Sequence, residues 1–181
     1  MQLVKQQNSA ALIVTHNLRI LDSADEILHM VDGRLGVGAA EQFSLTFPTL
    51  SDYQQGQIAA AAELRTYQPA EVIIQEGDEA REFFILIRGE LEVLRRLPDG
   101  GEEPVACLSK RGAYFGEIGL QQNIYRTATV RVKGSAPAEV LVISNKVFGE
   151  MMEGSQLTRA VIKDEIASRI MKNNALEKKN D

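Results

Sequence analysis

"REFFILIRGELEVLRRLPDGGEEPVACLS", residues 81–109, holds three short apolar-rich runs: REFFILIRG, ELEVLRRL and EPVACLS. Gly89 divides the first from the second, and Pro98-Asp99-Gly100-Gly101 divides the second from the third. Runs of this length, rich in β-branched and aromatic residues and bounded by turn formers, read as strands. Pro-Asp-Gly-Gly is the clearest hairpin tip, because Pro presets one turn angle and Gly tolerates the positive φ that follows. Outward from this stretch the rhythm continues. EVIIQ lies before it and TATVRV and AEVLVIS after it, with turn signals in EGDE, RGE, KRGA and KGSAPA. Many short strands broken every eight to twelve residues or so predict an all-β sandwich or barrel.

Composition bounds what such a domain can be. A chain of 181 residues with 44% hydrophobic and 25% charged residues can bury one sizeable core. The net charge of −5 argues against a nucleic-acid partner or an anionic membrane surface. The single cysteine, Cys107, excludes an internal disulfide and fits a reducing compartment. Its place in the strand-like PVACLS predicts a buried, inert thiol. His16 and His29 lack a cysteine or carboxylate cluster at metal spacing, so no metal is expected. Apolar runs such as AALIV at 10–14 are five residues long, far short of the roughly 20 that span a membrane. Met1 leads into QLVKQQNS with no hydrophobic region of the kind a signal peptide needs, so the expected location is cytoplasmic.

The flanks divide the chain into three parts. Residues 1–36 contain a short apolar run, SAALIVTH, and a second, ILHMVDGRL, centred on the hairpin signal Asp32-Gly33. Residues 37–50, with a glycine, a proline and no clear period, read as a linker. Residues 51–178 form the main domain. It opens with a helix over SDYQQGQIAAAAEL, capped by Ser51, that would cover one end of the barrel. It closes with a short helix over NKVFGEMME and a longer one from Ser155 onward. In the long helix Ile162, Ile166 and Ile170 recur every four residues, and Leu157 and Val161 widen the stripe. That stripe has to cover the barrel, a second copy of the chain in a homodimer, or a ligand.

Inside the strand-rich region, FGEIGLQQNIYRTATV at 115–130 places a carboxylate and, nine residues on, a guanidinium. Burying either charge alone is costly, so each needs a partner: the other residue, or a ligand carrying both an anion and hydroxyls. Glycines at 116 and 119 allow close approach to the backbone. Arg126 offers a planar fork of donors that suits two phosphate oxygens. Glu117, when ionised, only accepts and suits a donor such as a hydroxyl.

The stretch resembles the phosphate-binding cassette of the cyclic nucleotide-binding domain family: Phe-Gly-Glu, an aliphatic and a small residue, Leu, five residues, then Arg, a small residue and Ala. Phe115, Gly116, Glu117, Ile118, Gly119, Leu120, Arg126, Thr127 and Ala128 match it in type and spacing. The resemblance extends over about 51–172, with Gly77 and Gly89 at the family's usual turns. It implies a mainly β fold with flanking helices: a jelly-roll-like eight-stranded β-barrel with an N-terminal helix and C-terminal helices. It also implies that Arg126 holds the exocyclic phosphate and Glu117 the ribose 2′-hydroxyl of cAMP or cGMP. A hydroxyl residue after the Arg, here Thr127, often accompanies cGMP binding, yet some members with Thr accept cAMP, so the preference stays open. Two positions depart from the pattern: Tyr125 stands where Pro is frequent, which puts the loop carrying Arg126 in doubt, and Gly119 stands where Ala is usual. The family's last helix supplies a cover for the base, for which Ile166, Arg169 and Ile170 are candidates. Glu117 and Arg126 pairing with each other would instead mark a degenerate member that acts as an interaction module and binds no nucleotide.

SAALIVTHNLRILDSADEILHMVDGRL, finally, looks like the C-terminal end of an ATP-binding cassette transporter's nucleotide-binding domain, with His16 as its switch histidine. No G-x-x-x-x-G-K-[ST] phosphate loop occurs, so hydrolysis by this chain is not expected and no enzyme is implied. Residues 1–36 then read as the tail of a longer ATPase or one piece of a larger fusion, whose partners would be that ATPase or a membrane permease. A transcription factor would need a helix-turn-helix after the long helix, and the sequence to Asp181 leaves no room for one. The expected function is a regulatory, non-catalytic cyclic nucleotide sensor with no cofactor.

Overall fold

The computed structural model describes residues 29–31, 34–36 and 39–180, and the side chains of 39 and 41–172. Residues 1–38 and 39–181 are separate compact units. Of the first, the described part is a hairpin of β1 (His29–Val31) and β2 (Arg34–Gly36). Val31 pairs with Arg34, while Asp32-Gly33, read as the hairpin turn, lies outside the described residues. The strand read at 10–14 and His16 lie outside the described residues.

The second unit opens with α1 (Ala39–Thr46) and α2 (Asp52–Ala61). Here the structure corrects the sequence reading of 37–50 as a linker. Phe43, Phe47 and Leu50, spaced by four and three, bury almost completely and hold this stretch in place. Ser51 caps α2 in a capping box: its hydroxyl accepts from Gln54 N, and the Gln54 side chain accepts from Ser51 N. α2 stops at Ala61, earlier than its alanine run suggested, because the chain turns extended into β3 (Glu63–Tyr67).

Eight strands follow: β3, β4 (Val72–Ile74), β5 (Glu82–Arg88), β6 (Glu90–Arg96), β7 (Glu102–Leu108), β8 (Tyr114–Phe115), β9 (Thr129–Lys133) and β10 (Ala138–Ser144). They pair antiparallel in two sheets of four, ordered β3-β10-β5-β8 and β4-β9-β6-β7. The jelly-roll expectation holds in strand number and class, but the sheets do not close into one barrel. Between them lies a core of Phe84, Leu86, Leu91, Phe115, Val130, Val140 and their neighbours.

β5 shows why its sequence is apolar almost throughout. Phe84 and Leu86 face the opposing sheet, while Phe83 is buried on the other face among the rings of Phe47, Tyr114 and Phe148. Gly89 then carries the chain from one sheet to the other. Its φ is +99°, and a Cβ there would sit 2.8 Å from Ala138 Cα, so only glycine fits.

Between β8 and β9 sits α3 (Glu117–Gln122). After β10 come α4 (Asn145–Gly154), capped by Ser144, and α5 (Gln156–Asn180), whose first turn is held by a bond from Thr158 N to Ser155 Oγ. Ile162 and Ile166 of α5 are buried and Ile170 half-buried, whereas Leu157 and Val161 are exposed, so the apolar stripe is narrower than read. A second correction concerns Cys107: it is exposed, because β7 is an edge strand with no fully buried residue, and Lys133 Nζ lies 3.8 Å from its sulfur. No helix among the described residues is long and apolar enough to cross a membrane.

Candidate functional site

A cavity of about 250 Å³ opens between the β6–β7 hairpin, the segment 115–128 and α5. Eight of the nine residues that match the cassette line it: Phe115, Gly116, Glu117, Ile118 and Gly119 on one stretch, Arg126, Thr127 and Ala128 on the other; Leu120 does not.

Backbone geometry brings the two stretches together. β8 ends at Phe115, whose ring stacks on Phe84 at 5.0 Å, and Gly116 turns the chain into α3 with φ +84°. A Cβ on Gly116 would meet Arg126 Nη1 at 2.9 Å and Glu82 O at 3.2 Å. Gly119 is equally constrained: a Cβ there would fall 2.8 Å from Ala80 Cβ, which explains why this chain departs from alanine at that position. The loop before β9 is pinned on both sides of its peptide, Arg126 N donating to Asp78 O at 2.8 Å and Arg126 O accepting from Gly77 N at 2.9 Å. Tyr125, itself exposed, therefore does not loosen the segment that carries Arg126.

Glu117 and Arg126 are both buried, at 1% and 7% exposure, and they are not bonded to each other. Arg126 donates from Nη1 to Gly116 O at 2.8 Å and from Nη2 to Glu82 O at 2.7 Å. Both acceptors are neutral carbonyls, and among the described residues no carboxylate forms an ion pair with it. Burial pulls its pKa below the ordinary arginine range, with Glu82, Glu117 and Asp78 acting against that from a distance. The result is a fixed, buried cation without a contacting counter-ion, facing a cavity.

Glu117 has a partner from another element. Arg169 of α5 donates from Nη1 to Glu117 Oε1 at 2.9 Å and to Tyr114 O at 3.0 Å, and from Nε to Glu165 Oε1 at 2.9 Å. Its guanidinium also lies over the Tyr114 ring, 5.1 Å from the centroid. Burial still pushes the Glu117 carboxyl above its usual range, and Arg169 only partly offsets this.

Of the three residues suggested as a cover, only Arg169 reaches the cavity. Ile166 and Ile170 do not line it; the helical period turns Ile162 and Ile166 toward the core and presents the neighbouring face to the opening. That face is charged: Glu165, Arg169 and Lys172, at i, i+4 and i+7. Glu165 and Lys172 were not singled out from the sequence. The spacing that marks them is visible there, but which face of α5 meets the cavity is set by packing. The apolar side of the cavity comes from Val93, Val105 and Leu108 of β6 and β7.

With this geometry in hand, likeness to known proteins becomes informative. The chain is 39% identical over 109 residues to a cAMP-dependent protein kinase regulatory subunit of Mycosarcoma maydis, a match covering 59% of this chain and 20% of that protein. It is 29% identical over 133 residues to an uncharacterised ABC transporter ATP-binding protein of Mycobacterium bovis, covering 74% of this chain and 34% of the relative. The chain thus spans a fifth to a third of the length of these curated relatives. Among solved structures, the fold resembles the regulatory domain of Toxoplasma gondii PKA crystallised with cAMP, with a TM-score of 0.64 at 18% identity over 72% of this chain and 49% of the other. The sequence model named cyclic nucleotide-binding domain matches residues 64–155, the stretch that builds both sheets and all of the cavity lining except that from α5, and the chain belongs to that family.

Proposed function

We propose that residues 51–178 bind a 3′,5′-cyclic nucleotide, cAMP or cGMP, and act as a sensor without catalysis of their own. The observation that carries this reading is Arg126: a cation buried to 7% exposure, hydrogen-bonded only to carbonyls among the described residues, in a cavity lined by eight residues of the cassette. A buried charge of this kind gains a counter-ion when an anion enters. Charge supports a diester in particular. Arg126, Arg169 and Lys172 line the cavity against Glu117 and Glu165, leaving one positive charge over, which a singly charged cyclic phosphate balances. Glu117 takes the ribose 2′-hydroxyl in this reading, sharing its carboxylate with Arg169. The pairing of relatives, one a kinase regulatory subunit and one a transporter ATPase, supports a module that reports the nucleotide to an attached protein. The transporter-like residues 1–36 favour an ATP-binding cassette ATPase or its permease as that partner.

A second reading draws on the Arg169–Glu117 contact, which gives the carboxylate a partner within the protein. In this reading the domain keeps the fold as an interaction module and binds no nucleotide. Calorimetric titration with cAMP and cGMP separates the two. The sensor reading expects saturable heat with at least one of them, lost by about a hundredfold or more in Arg126→Ala, because a charge-assisted fork is removed. Heat with neither nucleotide would leave the interaction module as the better account.

A further inference from the structure

We infer that Arg65 of β3 is a positioning residue for the anion site: it holds the Glu82 carboxylate aside, so that Arg126 is left for a phosphate. This rests on the cyclic nucleotide reading above. Glu82 is placed to compete with a bound anion. Its carbonyl already accepts from Arg126 Nη2 at 2.7 Å. Side chains alternate along β5, so Glu82 shares the face of Phe84. The Arg126 guanidinium lies over that face, 5.8 Å from the centroid of the Phe84 ring. A half-buried carboxylate two residues from Phe84 reaches Arg126 by a rotation of its own side chain. Its charge is already felt there: burial lowers the Arg126 pKa, and Glu82 is the foremost charge acting against that.

Arg65 stands against that pairing. Its Nη2 lies 2.9 Å from Glu82 Oε1 and 2.7 Å from Glu63 Oε2. Strand register explains the reach. β3 and β5 both pair with β10: Glu63 and Phe84 stand opposite Val142, and Arg65 and Leu86 opposite Val140. Glu63, Arg65 and Glu82 therefore share one face of the sheet, and Arg65 extends across β10 to Glu82. Glu63, the most exposed of the three, anchors Arg65 from its own strand. Half-exposed ion pairs of this kind contribute little stability. Their effect here is on charge. With Arg65 gone, Glu82 becomes a counter-ion tethered beside Arg126, and an entering phosphate has to displace it.

Calorimetric titration of the whole chain with cAMP and cGMP tests this, using Arg65→Gln, Glu82→Gln, the double variant and Arg65→Lys, each checked for folding by thermal melting. Arg65→Gln is expected to bind the nucleotide that the wild type takes about tenfold more weakly, because Glu82 is released toward Arg126. Glu82→Gln has no competing charge to supply, so it is expected to bind about fivefold or more tightly than Arg65→Gln. Adding Arg65→Gln to Glu82→Gln is expected to change Kd by less than about twofold. Arg65 meets both carboxylates through one nitrogen, so Arg65→Lys, which keeps the cation, should recover most of the loss. If Arg65 were only a strap between β3 and β5, both single Gln variants would lose the same factor. That result, or wild-type affinity in Arg65→Gln, would overturn the inference and leave the pocket assignment standing. If the wild type bound neither nucleotide, the sensor reading and this inference would fall together.

Discussion

Gly116 shows how little freedom a single position retains around the buried guanidinium. Its φ of +84° lies in the left-handed region, and any Cβ would press against Arg126 Nη1. Gly116→Ala is expected to cost about 1–2 kcal/mol from backbone strain alone, with a further loss of nucleotide affinity because Arg126 must shift. Urea denaturation and calorimetry on the same variant check both parts. Glu117 makes a second residue-scale prediction, through pH. Burial raises its folded pKa above the unfolded value, so between the two the native state binds more protons than the unfolded chain, and stability falls as pH rises through that window. Glu117→Gln removes this dependence. The melting temperature of the wild type minus that of the variant should therefore be larger at pH 5 than at pH 7; a difference that shrank on acidification would contradict the assignment. The identities of both residues were legible in the cassette pattern. Their separation was not, since whether a carboxylate and a guanidinium meet depends on a partner, Arg169, supplied from 52 residues away in the chain.

At the scale of elements, strands with strong patterning were readable and weakly patterned ones were not. β5, β9 and β10 bury most of their residues, and β6 alternates apolar and polar residues between glycine and proline turns, so the sequence marks them. β3 is largely exposed and β8 only two residues long; neither carries a period that local reasoning can detect. α1 was hidden differently. Glycines precede it and Pro48 follows it, but Phe43, Phe47 and Leu50 keep a helical spacing that sets one face against the core. Phe43→Ala is expected to destabilise the domain by about 3–5 kcal/mol, as for other fully buried aromatics. A midpoint shift below a third of that in chemical denaturation would show that α1 is only loosely attached.

For the whole molecule, the division between residues 1–38 and 39–181 makes its own prediction. A chain beginning at residue 39 retains every described core residue, the Ser51 capping box and all the groups lining the cavity. It should melt within about 2–4 °C of the full chain, the shift a change of roughly 1 kcal/mol produces in a domain of this size, and should bind cyclic nucleotide with unchanged Kd. A large loss in either would mean that the first unit contributes to the second. The fold class was legible because strands and turns alternate over more than seventy residues. The open arrangement of two sheets was not, because closure depends on edge pairing that no local pattern records.

β7 has two sides with different surroundings. Ala106 and Leu108 line the cavity, whereas the thiol of Cys107 between them points away and is open to solvent. Because the chain has no other cysteine, a maleimide fluorophore would attach at this one place, a single strand's thickness behind the pocket wall. Such a dye would sense wall movement without occupying the cavity, turning the protein into an optical reporter of its own occupancy with no engineered mutation.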